Sequence, residues 1–423
     1  MKCSCAAFPK TLHYESPAHG GWGIVRIGAL VPEVYMLFYT PAACGRHSAF
    51  GAYLNGIKDK VSYLFLTEEE IVSGSYEKQI VPAVEELLSV LEKRPRCILL
   101  FGGCIDDFLG TDYEALKSEL NNKFPDIKFR FCHMNPIQLD TKNPPGITLF
   151  TNIFSMLEKR EKKNQINFIG NNNVLDKDSE IYELLRLHGI EYKSLPELKD
   201  FDSFLDMGAS KLNLVLSPRC LQSAKKQQNE LDIPYLPFLP CYDVDLIDTF
   251  YEKFNSRLSA ISGKEVVFDT REMKEKAEKA LRDTAAYLQG QRVAIDFQST
   301  VRPVTLAKTL LKYGFNVSLL AIDNVTPFEK ENFEYLRQNY PELEVVSPIH
   351  HDAAKYEHRS FSDALCIGFD CGFMVGSEHI VDLQEDNGFF GFAGIAKLME
   401  LIKKAHDSKQ DVNEIIKEAK LVV

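Results

Sequence analysis

No apolar run in this sequence is long enough to cross a membrane, and no Gly-x-x-x-x-Gly-Lys-Ser/Thr loop is present. No Cys-x-x-Cys pair occurs, and no basic stripe interrupts an acidic chain. Each absence removes a class of function. A bilayer-spanning helix needs about 20 apolar residues, so no membrane partner is expected. Wrapping nucleic acid needs Lys and Arg clustered against phosphate. Here 49 basic side chains face 60 acidic ones, a net charge of −11, and the clusters at 159–163 and Lys225-Lys226 read as solvated faces. No nucleic-acid partner is expected either. Lacking the phosphate-cradling loop, the chain is not expected to use ATP itself. The start, Met1 to Pro9, has no apolar core of a secretory signal, which points to the cytoplasm, where disulfides are uncommon. The ten cysteines of such a chain are mostly expected to be small buried hydrophobes, and no close pair among them specifies a metal site.

At 423 residues the chain is too long for one ordinary core. A composition of 45% hydrophobic and 26% charged residues is that of a globular protein. One pattern recurs: a short apolar strand, a turn, then an amphipathic helix. Cys97-Ile98-Leu99-Leu100-Phe101 is such a strand, ended by Gly102-Gly103. Residues 166–170, 212–216, 292–297, 317–322 and 364–367 repeat the theme, with helices expected over 179–188 and from Pro303 to Gly314. Strands alternating with helices predict an α/β fold of parallel sheets covered on both faces. Ligands then gather at the carboxyl ends of the strands, where the loops carrying Cys104, Ser217 and Arg302 follow strands. A charged stretch at 158–165 and a long linking helix over 273–288 divide the chain into three Rossmann-like units: 1–160, 161–262 and 263–423. Residues 398–421 read as a mostly helical close.

The densest chemistry lies in the first unit. His19-Gly20-Gly21-Trp22-Gly23 precedes an apolar stretch, then comes Thr40-Pro41-Ala42-Ala43-Cys44-Gly45-Arg46-His47. Farther on, a strand ends in Gly102-Gly103-Cys104-Ile105-Asp106-Asp107-Phe108-Leu109-Gly110-Thr111-Asp112. Glycine beside cysteine lets the backbone approach a bulky ligand, and a thiolate on such a turn suits an iron–sulfur cluster. By spacing alone, an ordinary phosphate or small-molecule loop is the preferred reading. Asp106 and Asp107 are expected to cap the next helix.

These stretches resemble one family. Pro41-Ala42-Ala43-Cys44-Gly45 resembles the Gly-Pro-x-Gly-Cys loop of nitrogenase component 1 subunits and their relatives, and Cys104 with Leu109-Gly110-Thr111-Asp112 resembles their Cys-x-x-x-x-Ile-Gly-Asp-Asp segment. Ile166-Asn167-Phe168-Ile169-Gly170 resembles the strand opening the family's second domain. Leu212-Asn213-Leu214-Val215-Leu216-Ser217-Pro218-Arg219 resembles its Leu-Asn-Leu-Val-x-Cys-x-Arg segment, followed by Ile233-Pro234-Tyr235. Arg302-Pro303 resembles its Leu-Arg-Pro turn, and Gly391-Phe392-Ala393-Gly394 its C-terminal Gly-Phe-x-Gly. The order of these motifs spans nearly the whole chain.

The resemblance implies an electron-relay iron–sulfur cluster, [4Fe–4S] or related, held at Cys44 and Cys104 with His19 in the place of the family's first cysteine. Histidine is a known iron ligand; a structural His19 is the alternative. Cys3 or Cys5 is another source of a thiolate. The resemblance also implies a homodimer or a paralogous subunit, an ATP-dependent iron–sulfur reductase as electron donor, and a small-molecule substrate. Two departures shape the expected function. Ser217 stands where the family's active-site cofactor hangs from a cysteine, with Cys220 three residues on expected to pack, and the C-terminal histidine ligand is absent, with Val381 and Asp382 near its place. A molybdenum–iron cofactor is therefore not expected. What remains is reduction of an organic substrate in the same cavity, lined by Ser217, Arg219, Arg302, His350 and His351, with His358 a further option. The alternative is a scaffold on which a metal cofactor is assembled.

Overall fold

The computed structural model describes residues 2–3, 23–134, 143–350 and 361–420. Its strands are β1 (Lys2–Cys3), β2 (Val34–Thr40), β3 (Val61–Phe65), β4 (Cys97–Gly102), β5 (Lys128–His133), β6 (Gln165–Ile169) and β7 (Glu191–Ser194). They continue as β8 (Leu212–Val215), β9 (Tyr235–Pro237), β10 (Arg292–Asp296), β11 (Asn316–Ala321), β12 (Glu344–Val346), β13 (Leu365–Ile367) and β14 (Ile380–Val381). They form three sheets, ordered β3-β2-β4-β5, β7-β6-β8-β9 and β1-β12-β11-β10-β13-β14. Every described pairing is parallel. Helices connect the strands and cover the sheets, so the α/β architecture follows the alternation in the sequence.

Local chemistry explains the boundaries. All six residues of β4 are buried, as an interior parallel strand requires. The helix Glu180–Leu187 begins after Ser179, and Gly189 at φ 60 ends the turn after it. The linking helix runs Arg271–Tyr287 and lies against helix Gly391–Asp407. The closing segment is two helices, Gly391–Asp407 and Val412–Glu418, because Asp411 caps a fresh start by accepting from the Asn413 N–H at 2.8 Å. Lys2 pairs with Glu344 and Cys3 with Val345, so the chain's first strand lies in the third sheet and not in the first.

Buried side chains join the three units. One cluster runs from Ile166 and Phe168 through Phe250 and Leu281 to Leu306, Leu320 and Ile395, and so spans the second and third sheets. Another joins Phe38, Leu99 and Phe154 to Ile169, Val215 and Cys220, spanning the first and second. Each fully buried aliphatic or aromatic side chain stabilises by about 1.5–3 kcal/mol, so the clefts between units are held as firmly as the units themselves. Under the second sheet runs a buried amide ladder. Asn167 Nδ2 donates to Asn213 Oδ1 at 2.8 Å, Ser210 Oγ donates to Asn167 Oδ1 at 2.7 Å, and Asn213 Nδ2 donates to Gln227 Oε1 at 3.1 Å. Satisfied buried networks of this kind specify a single register, here that of β6 and β8, whose carboxyl ends lead into Gly170 and Ser217. Among the described residues, no helix is long and apolar enough to cross a membrane.

Candidate functional site

Two strand-end regions carry chemistry. The first is the carboxyl edge of the first sheet. β2 and β4 are neighbours, paired from Val34 with Cys97 to Tyr39 with Gly102. Pro41 leads β2 into helix Ala42–Leu54, with Cys44 in its first turn, and Gly103 leads β4 into helix Cys104–Leu109. Both thiols thus leave adjacent strands at the same edge. Cys44 is exposed and Cys104 half-buried. A Cβ on Gly45 would lie 2.9 Å from the Phe65 ring and 3.3 Å from Thr40 Cγ2, so glycine is what lets this turn sit down on the sheet. Thr40 is buried at the strand end with its hydroxyl unpartnered. Large apolar side chains flank the edge in the open: Phe108 is 76% exposed, and Phe65 and Leu109 are exposed as well, while Phe50 and Tyr53 extend the exposed apolar surface along helix Ala42–Leu54.

Beneath Cys104 lies a buried acid. Asp106 does not cap the next helix; Asp112 does, accepting from the Ala115 N–H at 3.0 Å. The Asp106 carboxyl folds under Gly102, where a Cβ would fall 1.7 Å from Oδ2 and 2.5 Å from the Tyr39 hydroxyl oxygen. Burial, and then the neighbouring Asp107, push its pKa up to about 7. Asp107 lies 3.8 Å from His133 Nδ1. Around the acid stand Tyr39 and Tyr113, each raised chiefly by burial, and Tyr76, whose hydroxyl is 2.5 Å from that of Thr111. Two consecutive acids after a cysteine read as helix caps in the sequence; what sends one inward is Gly102, which leaves room for nothing else. Cys97 and Cys132 are core thiols of the same sheet, the first pushed far up and the second to about 12 by burial.

The second region is a cavity of about 310 Å³ between the second and third sheets. Its wall is built from the loops that leave β6 (Gly170, Asn171), β8 (Ser217, Arg219), β10 (Thr300, Val301) and β11 (Asp323), closed by the turn Glu385–Gly388. Ser217 Oγ accepts from the Arg219 N–H at 3.3 Å. The Arg219 guanidinium sits 3.7 Å from the Glu385 carboxylate, and its Cδ lies 3.5 Å from where a Cβ on Gly146 would be, so the first unit reaches this site too. Cys220 is fully buried behind the wall, its Sγ 3.2 Å from the position of a Gly170 Cβ, and burial raises its thiol far above the ordinary range. It packs, as expected.

The other residues expected at the cavity are placed differently. Arg302 does not line it; its guanidinium stacks 5.5 Å from the ring centre of Phe328, which does. His350 is also outside the wall, its N–H donating to the Ser347 carbonyl at 3.2 Å. His19, His351 and His358 lie outside the described residues, as do Cys5 and the side chain of Cys3. His379 is turned away, its Nδ1 2.8 Å from the Ala405 carbonyl. Among the described residues no cysteine or histidine lines the cavity, and no three His, Cys, Asp or Glu side chains gather as a metal site. A cofactor hung from a thiolate and an imidazole does not fit this wall. Glu385 and Asp386 are cavity residues that the sequence conceals: Gln384-Glu385-Asp386-Asn387-Gly388 has the composition of any solvated loop.

The comparisons with known proteins bear on both regions. The family model described as nitrogenase component 1 type oxidoreductase matches residues 22–405. A solved structure of nitrogenase Cp1 at pH 6.5 is similar at a TM-score of 0.71 and 19% identity, covering 94% of each chain. Another, nitrogenase Cp1 at pH 5, is similar at a TM-score of 0.64 and 14% identity, covering 96% of this chain and 90% of that one. No curated protein matches the sequence. At these identities the solved structures speak for the fold alone; the family model, spanning both the thiol edge and the cavity, settles the membership. The chain belongs to the nitrogenase component 1 type oxidoreductase family.

Proposed function

We propose that the chain is the substrate-holding component of an iron–sulfur oxidoreductase, fed electrons by a separate ATP-dependent iron–sulfur reductase and reducing a small organic molecule in the central cavity. The observation that carries this reading is the convergence of Cys44 and Cys104 on one strand-end edge. The donor set fits a cluster shared with a second chain. Two thiols, one exposed and one half-buried, and an unpartnered Thr40 hydroxyl stand at an edge flanked by exposed Phe65, Phe108 and Leu109, and exposed apolar patches of this kind mark protein interfaces. The covering subunit is a second copy or a paralogue, and His19 is the proposed further donor. A cluster held here supplies one-electron transfer at a potential set by its surroundings. This chain's own residues bind and orient the substrate. Arg219 is braced by Glu385, Ser217 offers a hydroxyl, and Phe297, Phe328 and Phe389 supply apolar contact surface. No step is assigned to a molybdenum–iron cofactor, for which the wall offers no thiolate or imidazole among the described residues.

Iron content and the EPR spectrum of anaerobically purified protein test this reading. Wild type is expected to carry iron, and Cys44→Ala and Cys104→Ala to lose it while circular dichroism stays unchanged; full iron in Cys104→Ala removes that residue from the ligand set. His19→Ala tests the third donor in the same way. One observation favours a second reading, a scaffold for cofactor assembly: among the described residues the wall has no thiolate or imidazole, and such a wall holds a metal guest loosely. Release of a metal cluster to an acceptor protein, with no substrate turned over alongside a cognate reductase, identifies that case.

A further inference from the structure

A second opening lies beside the central cavity. It is a polar recess of about 260 Å³, and it shares Asn173, Gln298 and Glu385 with the cavity wall. Segments far apart in sequence meet there. Arg26 comes from helix Gly23–Ala29, Asn55 from the C-cap of helix Ala42–Leu54, and Glu418 and Lys420 from the end of helix Val412–Glu418 and the turn after it. The side nearest the cavity is fixed by a strained turn. Glu385, Asp386 and Asn387 have φ of 44°, 64° and 48°, followed by Gly388 at 80°, and non-glycine residues persist in this region only where the surroundings over-determine them. Here Glu385 and Asp386 donate their N–H groups to the carbonyls of Gln298 (2.8 Å) and Ser299 (2.9 Å), while the Gly388 carbonyl accepts from the Asp176 N–H at 2.8 Å. A Cβ on Gly388 would lie 2.2 Å from the Val174 carbonyl oxygen, so the second and third units are pressed together at this point.

The donors of the recess are uncommitted and within reach of solvent. The side chains of Arg26, Lys420, Asn173 and Gln298 have no hydrogen-bond or ion-pair partner among the described residues. Arg26, Asn173 and Gln298 are half-buried and Lys420 is exposed. The carboxylates are engaged or screened. Glu385 Oε2 accepts from Asn172 Nδ2 at 2.9 Å, and Oε1 stands 3.7 Å from the Arg219 guanidinium on the cavity side. Glu418 is exposed, where water and salt screen its charge. Nor does the end of helix Ala42–Leu54 consume the cations. Its closing carbonyls at Gly51, Tyr53 and Ala52 accept from the N–H groups of Asn55 (3.1 Å), Gly56 (3.0 Å) and Ile57 (2.9 Å). In a chain whose net charge is −11, the fold gathers Arg26 and Lys420 on one polar recess and leaves both unmatched.

We propose that this recess is an oxyanion site, taking a carboxylate or phosphate group on Arg26 and Lys420, with Asn173 and Gln298 donating from the side that adjoins the cavity. The planar fork of a guanidinium matches two oxygens at once, and an ammonium adds a point charge. Two sources present this chemistry. One is an anionic substituent on the guest of the central cavity, reaching across the wall that the two openings share; the other is a free inorganic oxyanion. The first deepens the oxidoreductase reading by giving its substrate an acidic substituent, and rests on it only in taking the cavity as the ligand site.

The test is a ligand-observed NMR titration of the full-length protein at neutral pH and low salt with phenylbutyrate, phenylbutyramide and inorganic phosphate. Phenylbutyrate is expected to bind about tenfold more tightly than its amide, the discrimination a hydrogen bond to a charged group gives. Arg26→Gln and Lys420→Gln change solvent-accessible side chains and should keep the wild-type circular dichroism. Each is expected to weaken oxyanion binding by about tenfold and to leave the amide unchanged. Phenylbutyrate binding more tightly than phosphate assigns the oxyanion to the cavity's guest; phosphate binding as tightly makes the recess a site for a free ion. Phosphate unbound with phenylbutyrate no tighter than its amide, or oxyanion binding indifferent to both variants, overturns the proposal. Iron is measured on the same samples: oxyanion binding in a protein without iron sinks the redox reading and leaves this one standing, while iron without oxyanion binding does the reverse.

Discussion

At the first glycine of the Gly-Phe-Ala-Gly stretch a single methyl group should be costly. Gly391 opens helix Gly391–Asp407 at φ 68, and a Cβ there would lie 2.0 Å from Glu180 Oε1. Glu180 is buried, and its carboxylate accepts from the N–H groups of Phe392 at 2.6 Å and Ala393 at 3.1 Å. A carboxylate of the second unit thus caps a helix of the third, where orphan N–H groups and the helix dipole both favour it. Gly391→Ala forces a left-handed alanine, about 1–2 kcal/mol, and pushes the carboxylate off its donors. Hydrogen bonds to a charged group contribute about 1.5–3 kcal/mol each, and losing most of two, less a small gain from a stiffer unfolded chain, brings the total to about 4 kcal/mol. Urea unfolding of wild type, Gly391→Ala, Glu180→Ala and the double variant forms a double-mutant cycle. With the carboxylate gone, Gly391→Ala should cost only the backbone part, about 1–2 kcal/mol, leaving a coupling of roughly 2–3 kcal/mol. Equal costs of Gly391→Ala with and without the carboxylate would refute the argument, because glycine would then be needed for its φ alone.

Two further outcomes concern buried polar groups. Asn213 is fully buried between Asn167 and Gln227; Asn213→Ala removes two hydrogen bonds and strands the Gln227 oxygen, a loss of about 3 kcal/mol readable by urea unfolding, and a loss under about 1 kcal/mol would mean the ladder does not hold the sheet. Asp296, at the end of β10, accepts from the N–H groups of Gln298, Ser299 and Cys371, yet burial first and then Asp370 raise it from 3.8 to about 8. The folded state therefore binds this proton more tightly than the unfolded one. The stability it contributes is complete below the unfolded pKa and is lost as pH rises through about 8. In Asp370→Asn the fall should be smaller and end at lower pH; unfolding midpoints measured across the range that show an unchanged profile would remove Asp370 as a cause.

The parts legible in the sequence are those where one physical demand dominates. An interior parallel strand must be apolar on both faces, so Cys97-Ile98-Leu99-Leu100-Phe101 announces itself, and glycine after it marks the edge where ligands gather. Ser217 and Arg219 reach the cavity for the same reason: they come directly after a strand. Arg302 also comes after one, but it occupies the N-cap position of helix Pro303–Lys312, and its side chain finds Phe328 and Glu329 before it finds the cavity. Asp106 and the Glu385–Gly388 turn are hidden because each depends on a partner distant in sequence or on a conformation its residues do not favour. Polar residues at left-handed φ carry no signature in composition; only Gly388 hints at it.

One helix reaches from the thiol edge toward the cavity. Helix Ala42–Leu54 carries Cys44 in its first turn, and Asn55, its C-cap, contributes to the polar recess beside Glu385. At 1.5 Å per residue the helix places these ends on the order of 17 Å apart. That length links the thiol edge to the recess that includes Glu385, whose turn holds Glu385, Asp386 and Asn387 at left-handed φ. Strain of this kind makes an element responsive, since small displacements decide whether the left-handed turn is still over-determined. If assembly at the edge and ligand binding in the cavity are coupled through this helix, linkage makes the coupling equal in both directions: a partner that tightens a ligand's binding must itself bind more tightly when that ligand is present.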